Sequence, residues 1–193
     1  MKKTTVSVPG KLLLMGDHAV VYGRPCLVTA VSERMRVSIE QSSDKQLHFD
    51  VPENMDTRFV NRAIEQARVH WRLPISDITI RTESQFSGNV GLGSSAAVTV
   101  GTIVALREYL GRKDNLKTLF TLSYRTILDV QGRGSGFDAA AALFGNTMYF
   151  VTAGKIIEPL AIKNMPLIVG FTGVKADTCL LYTSPSPRDR TRY

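Results

Sequence analysis

Three short segments of this sequence hold residue types suited to phosphate chemistry. "GNVGLGSSAA" at 88–97 places Gly91 and Gly93 ahead of Ser94, Ser95 and an apolar helical run. Glycines at 91 and 93 permit backbone angles and a close approach that side chains would block. Successive backbone N–H groups at the start of the following helix would form an anion-binding nest with a favourable dipole. Ser94 and Ser95 add hydroxyls that donate to phosphate or ligate Mg²⁺. "VPGKLLLMGDHAVVYG" at 8–23 sets Lys11 in a Pro-Gly turn, followed by Asp17 and His18. A lysine in such a turn neutralises charge on a transferring phosphoryl group or lowers the pKa of a substrate hydroxyl. "GRGSGFDAAA" at 132–141 puts Asp138 after a Gly-Ser-Gly turn, where a carboxylate orients an attacking hydroxyl or takes its proton. Singly, each segment also reads as an ordinary turn, and the glycine loop as a serine N-cap. Together and in this order they point to phosphoryl transfer.

Context separates the possible phosphate loops. Gly91-Leu92-Gly93-Ser94-Ser95-Ala96 fits the dinucleotide pattern G-x-G-x-x-A. That pattern needs a tight turn directly from strand to helix, and an acid at the end of the next strand. Here the preceding strand is expected to end near Glu83, and the candidate acid, Glu108, falls late in the following helix. A Walker A loop needs a closing Gly-Lys-Ser/Thr, which is missing.

The elements that position these segments follow from periodicity. "TTVSV" and "KLLLMG", split by Pro9-Gly10, read as strand, turn, strand. Residues 26–40 alternate Met35, Val37 and Ile39 with polar partners, as a strand does. "LHFDV" and "DITIRTE" are further strands. Phe59, Val60, Ala63, Ile64 and Ala67 recur at helical spacing behind Asp56 or Thr57 as N-cap. Ala96, Ala97, Val100, Ile103, Val104 and Leu110 form the stripe of a helix ending near Gly111. Another helix runs from Asn115 as cap to Gly132 as stop. The small-residue run "AAAALFG" follows, then strand-like "NTMYFV", "KIIEPLAI" and "PLIVGFT". Separate helices and antiparallel strands make an α+β fold.

At 193 residues and 44% hydrophobic the chain can bury a core as one domain, or one domain and part of another. The net charge of +7 suits an anionic partner, but the basic residues are scattered and no nucleic-acid-binding pattern accompanies them. Cys26 and Cys179 have no metal-ligand spacing, which fits a reducing cytosol. No apolar run reaches membrane-spanning length, and Pro9-Gly10-Lys11 interrupts any signal-like start. A cytoplasmic protein, with no nucleic-acid or membrane partner, is expected.

The three segments resemble the signature motifs of the GHMP kinases. The first is most similar to the mevalonate kinase branch, through Pro9, Gly10, Lys11, Gly16, His18, Ala19, Val20, Val21, Tyr22 and Gly23. "GLGSSAA" resembles the family's phosphate loop, and "VQGRGSGFD" the segment that ends in its catalytic aspartate. "FTGVKADT" at 171–178 resembles the stretch that opens its C-terminal half. The resemblance implies Asp138 and Lys11 as the catalytic pair. It implies that Gly91, Leu92, Gly93, Ser94, Ser95 and Ala96 hold ATP, with Ser94 or Ser95 at Mg²⁺. Asp17, His18, Thr172 and Thr178 would lie at the substrate. The implied acceptor is the primary hydroxyl of mevalonate, with a phosphomevalonate or sugar acceptor, or a non-catalytic ligand-binding relative, as alternatives. The implied fold is a domain like the second domain of ribosomal protein S5 over residues 1–165. Residues 166–178 would then open a truncated ferredoxin-like domain, and the full-length parent would be a possible homodimer.

Three positions depart from the family pattern. Asp17 replaces the usual glutamate, and Phe86-Ser87-Gly88-Asn89 stands where proline usually precedes the loop. Ile127 occupies the place of a Mg²⁺-binding glutamate eleven residues before Asp138, and Asp129 would point elsewhere on a helix. Residues 179–193 depart from the grammar of the rest. "CLLYTSPSPRD" resembles one reading frame of a sequencing-library adapter, the alternative being a native disordered tail. The 193-residue chain is expected to be inactive and poorly soluble, because an unfinished sheet exposes an edge and an apolar face. Purification as a soluble monomer with full activity in an ATP-consumption assay would overturn this.

Overall fold

The computed structural model describes residues 2–53, 55–162, 165–171 and 173. The elements run β1 (Lys3–Met15), α1 (Asp17–Val21), β2 (Pro25–Gln41), β3 (His48–Asp50), α2 (Arg58–Trp71), β4 (Ile78–Ser84), α3 (Ser94–Tyr109), α4 (Leu116–Gln131), α5 (Phe137–Phe144), β5 (Thr147–Val151) and β6 (Ile156–Pro159). A 3₁₀ turn at Thr152–Gly154 joins the last two strands. The fold is α+β, as the segment pattern implies.

The spine of the sheet is β2. Its alternating Met35, Val37 and Ile39 are buried, while Arg36, between the first two, faces solvent. One edge of β2 carries β1 in antiparallel register from Lys3↔Glu40 to Met15↔Leu27. The other edge is shared: β4 pairs with Met35–Gln41, and β5 with Pro25–Thr29. β3 adds in parallel to β4, and β6 antiparallel to β5.

The expected strand-turn-strand at the start is instead one continuous strand. Pro9 pairs with Arg34 and Lys11 with Ala30, so the register shifts across Gly10 and β1 bends without reversing. A proline has no N–H for the ladder and is tolerated at such a bulge. Gly10 is buried there, and a Cβ on it would lie 3.1 Å from the Leu92 carbonyl oxygen and from Val31.

α2 buries the stripe read from its spacing. Thr57 holds the cap position, but the Asp56 carboxylate accepts from the Arg58 N–H at 3.0 Å. The Asn115 side chain accepts from the Thr118 N–H at 2.9 Å, and Gly132, with φ 74°, ends α4. α3 differs from its expected stripe, since every residue from Ala96 to Ile103 is buried. It packs on β1 and β2 and is flanked by α2, α4 and α5, so no side of this stretch faces water. Small residues make that close fit possible. A Cβ on Gly101 would stand 2.6 Å from a Val37 methyl.

Of residues 166–172, expected as a strand, 166–171 are described; they have no strand pairing, and Leu167, Ile168, Val169 and Phe171 are exposed. A strand exists only against a partner edge, and none of the described strands supplies one here. Thr172, Thr178 and residues 179–193 lie outside the described residues.

Gly101→Val is expected to lower stability by about 1–3 kcal/mol, the usual effect of forcing atoms into a filled core. The reading is the urea unfolding midpoint, and an unchanged midpoint would contradict the close contact of α3 with β2.

Candidate active site

β1 pairs with β2 along one edge only, so alternate peptide groups of β1 face away from β2. The Lys11 N–H donates to the Leu92 carbonyl at 3.0 Å, which ties the strand to the glycine loop. The Lys11 side chain then runs beneath Gly93, where a Cβ would come within 2.9 Å of Lys11 Cγ and 3.1 Å of Cε. Its Nζ ends 3.0 Å from Asp138 Oδ1. That oxygen is shielded from solvent and accepts no hydrogen bond of good geometry, so the contact is an attraction between charges. Nζ also lies 5.2 Å from the centre of the Phe137 ring.

Three helices start around this pair, and each starts at a glycine in the left-handed region. Gly16 (φ 92°) precedes α1, Gly93 (φ 78°) precedes α3, and Gly136 (φ 93°) precedes α5. None of these starts carries a side-chain cap. The serine N-cap alternative for the loop is therefore excluded: Ser94 and Ser95 are the first residues of α3, and the cap is Gly93. The leading N–H groups of a helix lack partners within it, and uncapped they attract an anion. Asp138 sits in the first turn of α5, where the helix dipole favours its negative charge.

The loop before Asp138 is braced from below. The Tyr124 hydroxyl donates to the Gly134 carbonyl at 2.8 Å, and the Tyr124 ring stacks on Phe120 with centroids 5.9 Å apart. A Cβ on Gly136 would lie 3.0 Å from that Tyr124 ring.

Of the residues singled out from sequence, Lys11, Leu92, Gly93 and Asp138 meet directly. Ser94 and Ser95 are half-buried beside them, Ala96 is buried behind them, and Gly91 turns the loop at φ 79°. Asp17 opens α1 and is exposed, and His18 follows in the same helix. Ile127 is buried in the core, and Asp129 faces α2 instead, accepting from Arg62 at 2.8 Å and Gln66 at 2.7 Å. Among the described residues, no group of three His, Cys, Asp or Glu could hold a metal ion. A cavity of about 810 Å³, lined by Thr29–Arg34 with Ile162, Met165, Leu167 and Val169, touches neither Lys11 nor Asp138.

Sequence reasoning assigned Cys26 no place in the site, yet it lies directly beneath it. A Cβ on Gly16 would stand 2.8 Å from Cys26 Cα. Burial, and then the nearby charges of Asp138 and Asp17, push the thiol up to about 12. Its place in β2 marks it as buried, but nothing in its spacing to Asp17 or Asp138 announces their proximity.

Residues 58–146 match the family described as GHMP kinases N terminal domain. The chain thus carries the N-terminal domain of the GHMP kinases. The relatives it resembles are mevalonate kinases. That of Archaeoglobus fulgidus is 37% identical over 79% of this chain and 55% of its own length. That of Thermococcus gammatolerans is 31% identical over 91% of this chain and 59% of its own length. The chain therefore spans rather more than half of the curated relatives it matches. The crystal structure of Methanococcus jannaschii mevalonate kinase superposes with a TM-score of 0.75 at 20% identity, over 84% of this chain and 57% of that one. A Lin0012 protein from Listeria innocua gives 0.77 at 25% identity, over 94% and 64%.

The raised thiol pKa has a signed consequence. The folded chain keeps the Cys26 proton to about 12, whereas the unfolded chain releases it from about 9.0. Its contribution to stability is complete below the lower value and is lost as pH climbs to the upper one. Unfolding midpoints are expected to fall between pH 8.5 and 11 more steeply in the wild type than in Cys26→Ala. Parallel slopes would show that the thiol does not titrate this way.

Proposed function

We propose that this chain forms the nucleotide-binding part of an ATP-dependent kinase that phosphorylates the primary hydroxyl of mevalonate. The observation that best supports it is the Lys11–Asp138 pair, 3.0 Å apart directly beneath the Gly93 cap of α3. The uncapped N–H groups of α3, with Ser94 and Ser95, would receive the phosphates. Gly91, Leu92 and Ala96 shape that turn. Asp138 would orient the acceptor hydroxyl and take its proton, while Lys11 holds the carboxylate in place and offsets charge on the phosphoryl oxygens. Asp17 and His18 on α1, with Thr172 and Thr178, would meet the acceptor.

Mg²⁺ would neutralise the phosphate charge. The donors present fit an ion held mostly by phosphates and water, with a Ser94 or Ser95 hydroxyl or the Asp138 carboxylate as protein ligand. Because the chain covers 55–59% of its curated relatives, the complete reaction is assigned to the intact gene product. In this reading residues 166–178 open a second, ferredoxin-like domain, and the intact protein is a cytoplasmic homodimer.

Ile127, apolar where the family resemblance implies a metal ligand, favours one second reading: a relative that binds nucleotide without transferring phosphate. Asp138→Asn in the intact gene product separates the two. Turnover with mevalonate is expected to fall at least about 10²-fold, the scale of a lost general base. Nucleotide affinity, from calorimetry, is expected to stay within a few-fold. Nucleotide binding by the wild type without turnover on any polyol would sink the kinase reading.

A further inference from the structure

The turn at Thr152–Gly154 lies outside all three motifs, yet it touches two of them. The Thr152 hydroxyl donates to the Val20 carbonyl, in the last turn of α1. One residue on, the Ala153 N–H donates to the Ser135 carbonyl at 2.8 Å, within the loop that delivers Asp138. Ala153 holds φ 61°, a conformation that side-chain-bearing residues adopt at a cost and keep only where surroundings enforce it. The enforcement is visible at Gly154, which sits so close to Phe120 that a Cβ would meet the ring at 2.5 Å. Phe120 is the same ring on which Tyr124 stacks while bracing Gly134.

From this geometry we infer that Thr152 is a positioning residue that locks α1 to the Asp138 loop. Through Val20 it fixes the helix that carries Asp17 and His18. Through the adjoining Ala153 peptide, the same turn fixes Ser135, three residues before Asp138. The phosphate loop is held separately, by the Lys11 N–H to Leu92 carbonyl bond and by packing of α3 on the sheet. The turn therefore governs where the acceptor hydroxyl meets the carboxylate and leaves the nucleotide side unaffected. This assignment of acceptor and nucleotide sides rests on the kinase reading above.

Two measurements test it. In the 193-residue chain, Thr152→Val keeps the side-chain size and removes the donor. Hydrogen exchange at the Gly23 amide, which shares the Val20 carbonyl, and at the Ala153 amide is expected to quicken roughly three- to tenfold, the scale of one lost hydrogen bond. The Ala97 amide at the start of α3 should not change. Thr152→Ser is expected to restore wild-type exchange. Unchanged exchange at Gly23, equal change at Ala97, or no rescue by serine would each overturn the lock. In the intact gene product, Thr152→Val is expected to raise KM for the acceptor several-fold and leave KM for ATP unchanged, again with rescue by serine. Equal shifts in both KM values would mean a merely structural role. Absence of turnover in the wild type would defeat the kinase reading, while the exchange data would still decide the lock.

Discussion

β1 has β2 on one edge only, so every second peptide group of the strand faces away from that neighbour. At Pro9–Lys11, β1 steps out of register with β2, and the Lys11 peptide turns to the Leu92 carbonyl. That one backbone bond sets the distance between the sheet and the glycine loop. It also decides where the Lys11 side chain runs, beneath Gly93 and on to Asp138. A larger residue at 10 would press on the Leu92 carbonyl, and one at 93 would press on the lysine stem. The bulge, the loop and the ion pair are one constraint seen at three places.

Around that constraint the fold gathers helix starts. α1, α3 and α5 all begin with uncapped N–H groups, and a concentration of unpaired donors needs negative charge nearby. Asp138 supplies part of it from within, and an incoming phosphate would supply the rest. The small residues of α3 and the run Ala139–Ala142 in α5 are what let these helices approach the sheet and one another so closely. Cys26 marks the floor of the arrangement, a neutral thiol kept protonated by burial and by the carboxylates above it.

Much of this was legible in the chain. The strand of alternating Met35, Val37 and Ile39, the stripe of α2, and the Asn115 and Gly132 ends of α4 all follow local rules, and the structure has them. At two places the described structure differs from the local reading, for reasons that locality could not reveal. Pro9-Gly10 looks the same whether the chain reverses or bulges, because only the presence of β2 alongside tells the two apart. Residues 166–171 carry strand-forming side chains, but a strand is a relation between two segments and the second is missing among those described.

The sequence by itself determined the residue types of the site, their order, and the glycine loop that opens α3. Those are local matters: a φ only glycine adopts with ease, a carboxylate in a first turn, a lysine after Pro-Gly. Tertiary structure alone decided that Lys11 and Asp138, 127 positions apart, would stand 3.0 Å from one another. It alone sent Asp129 to Arg62, buried Ile127, placed Cys26 under the carboxylates, and set Thr152 against Val20. Each of those depends on which elements share the sheet and which helix lies across it, and no spacing along the chain encodes a distance across the fold.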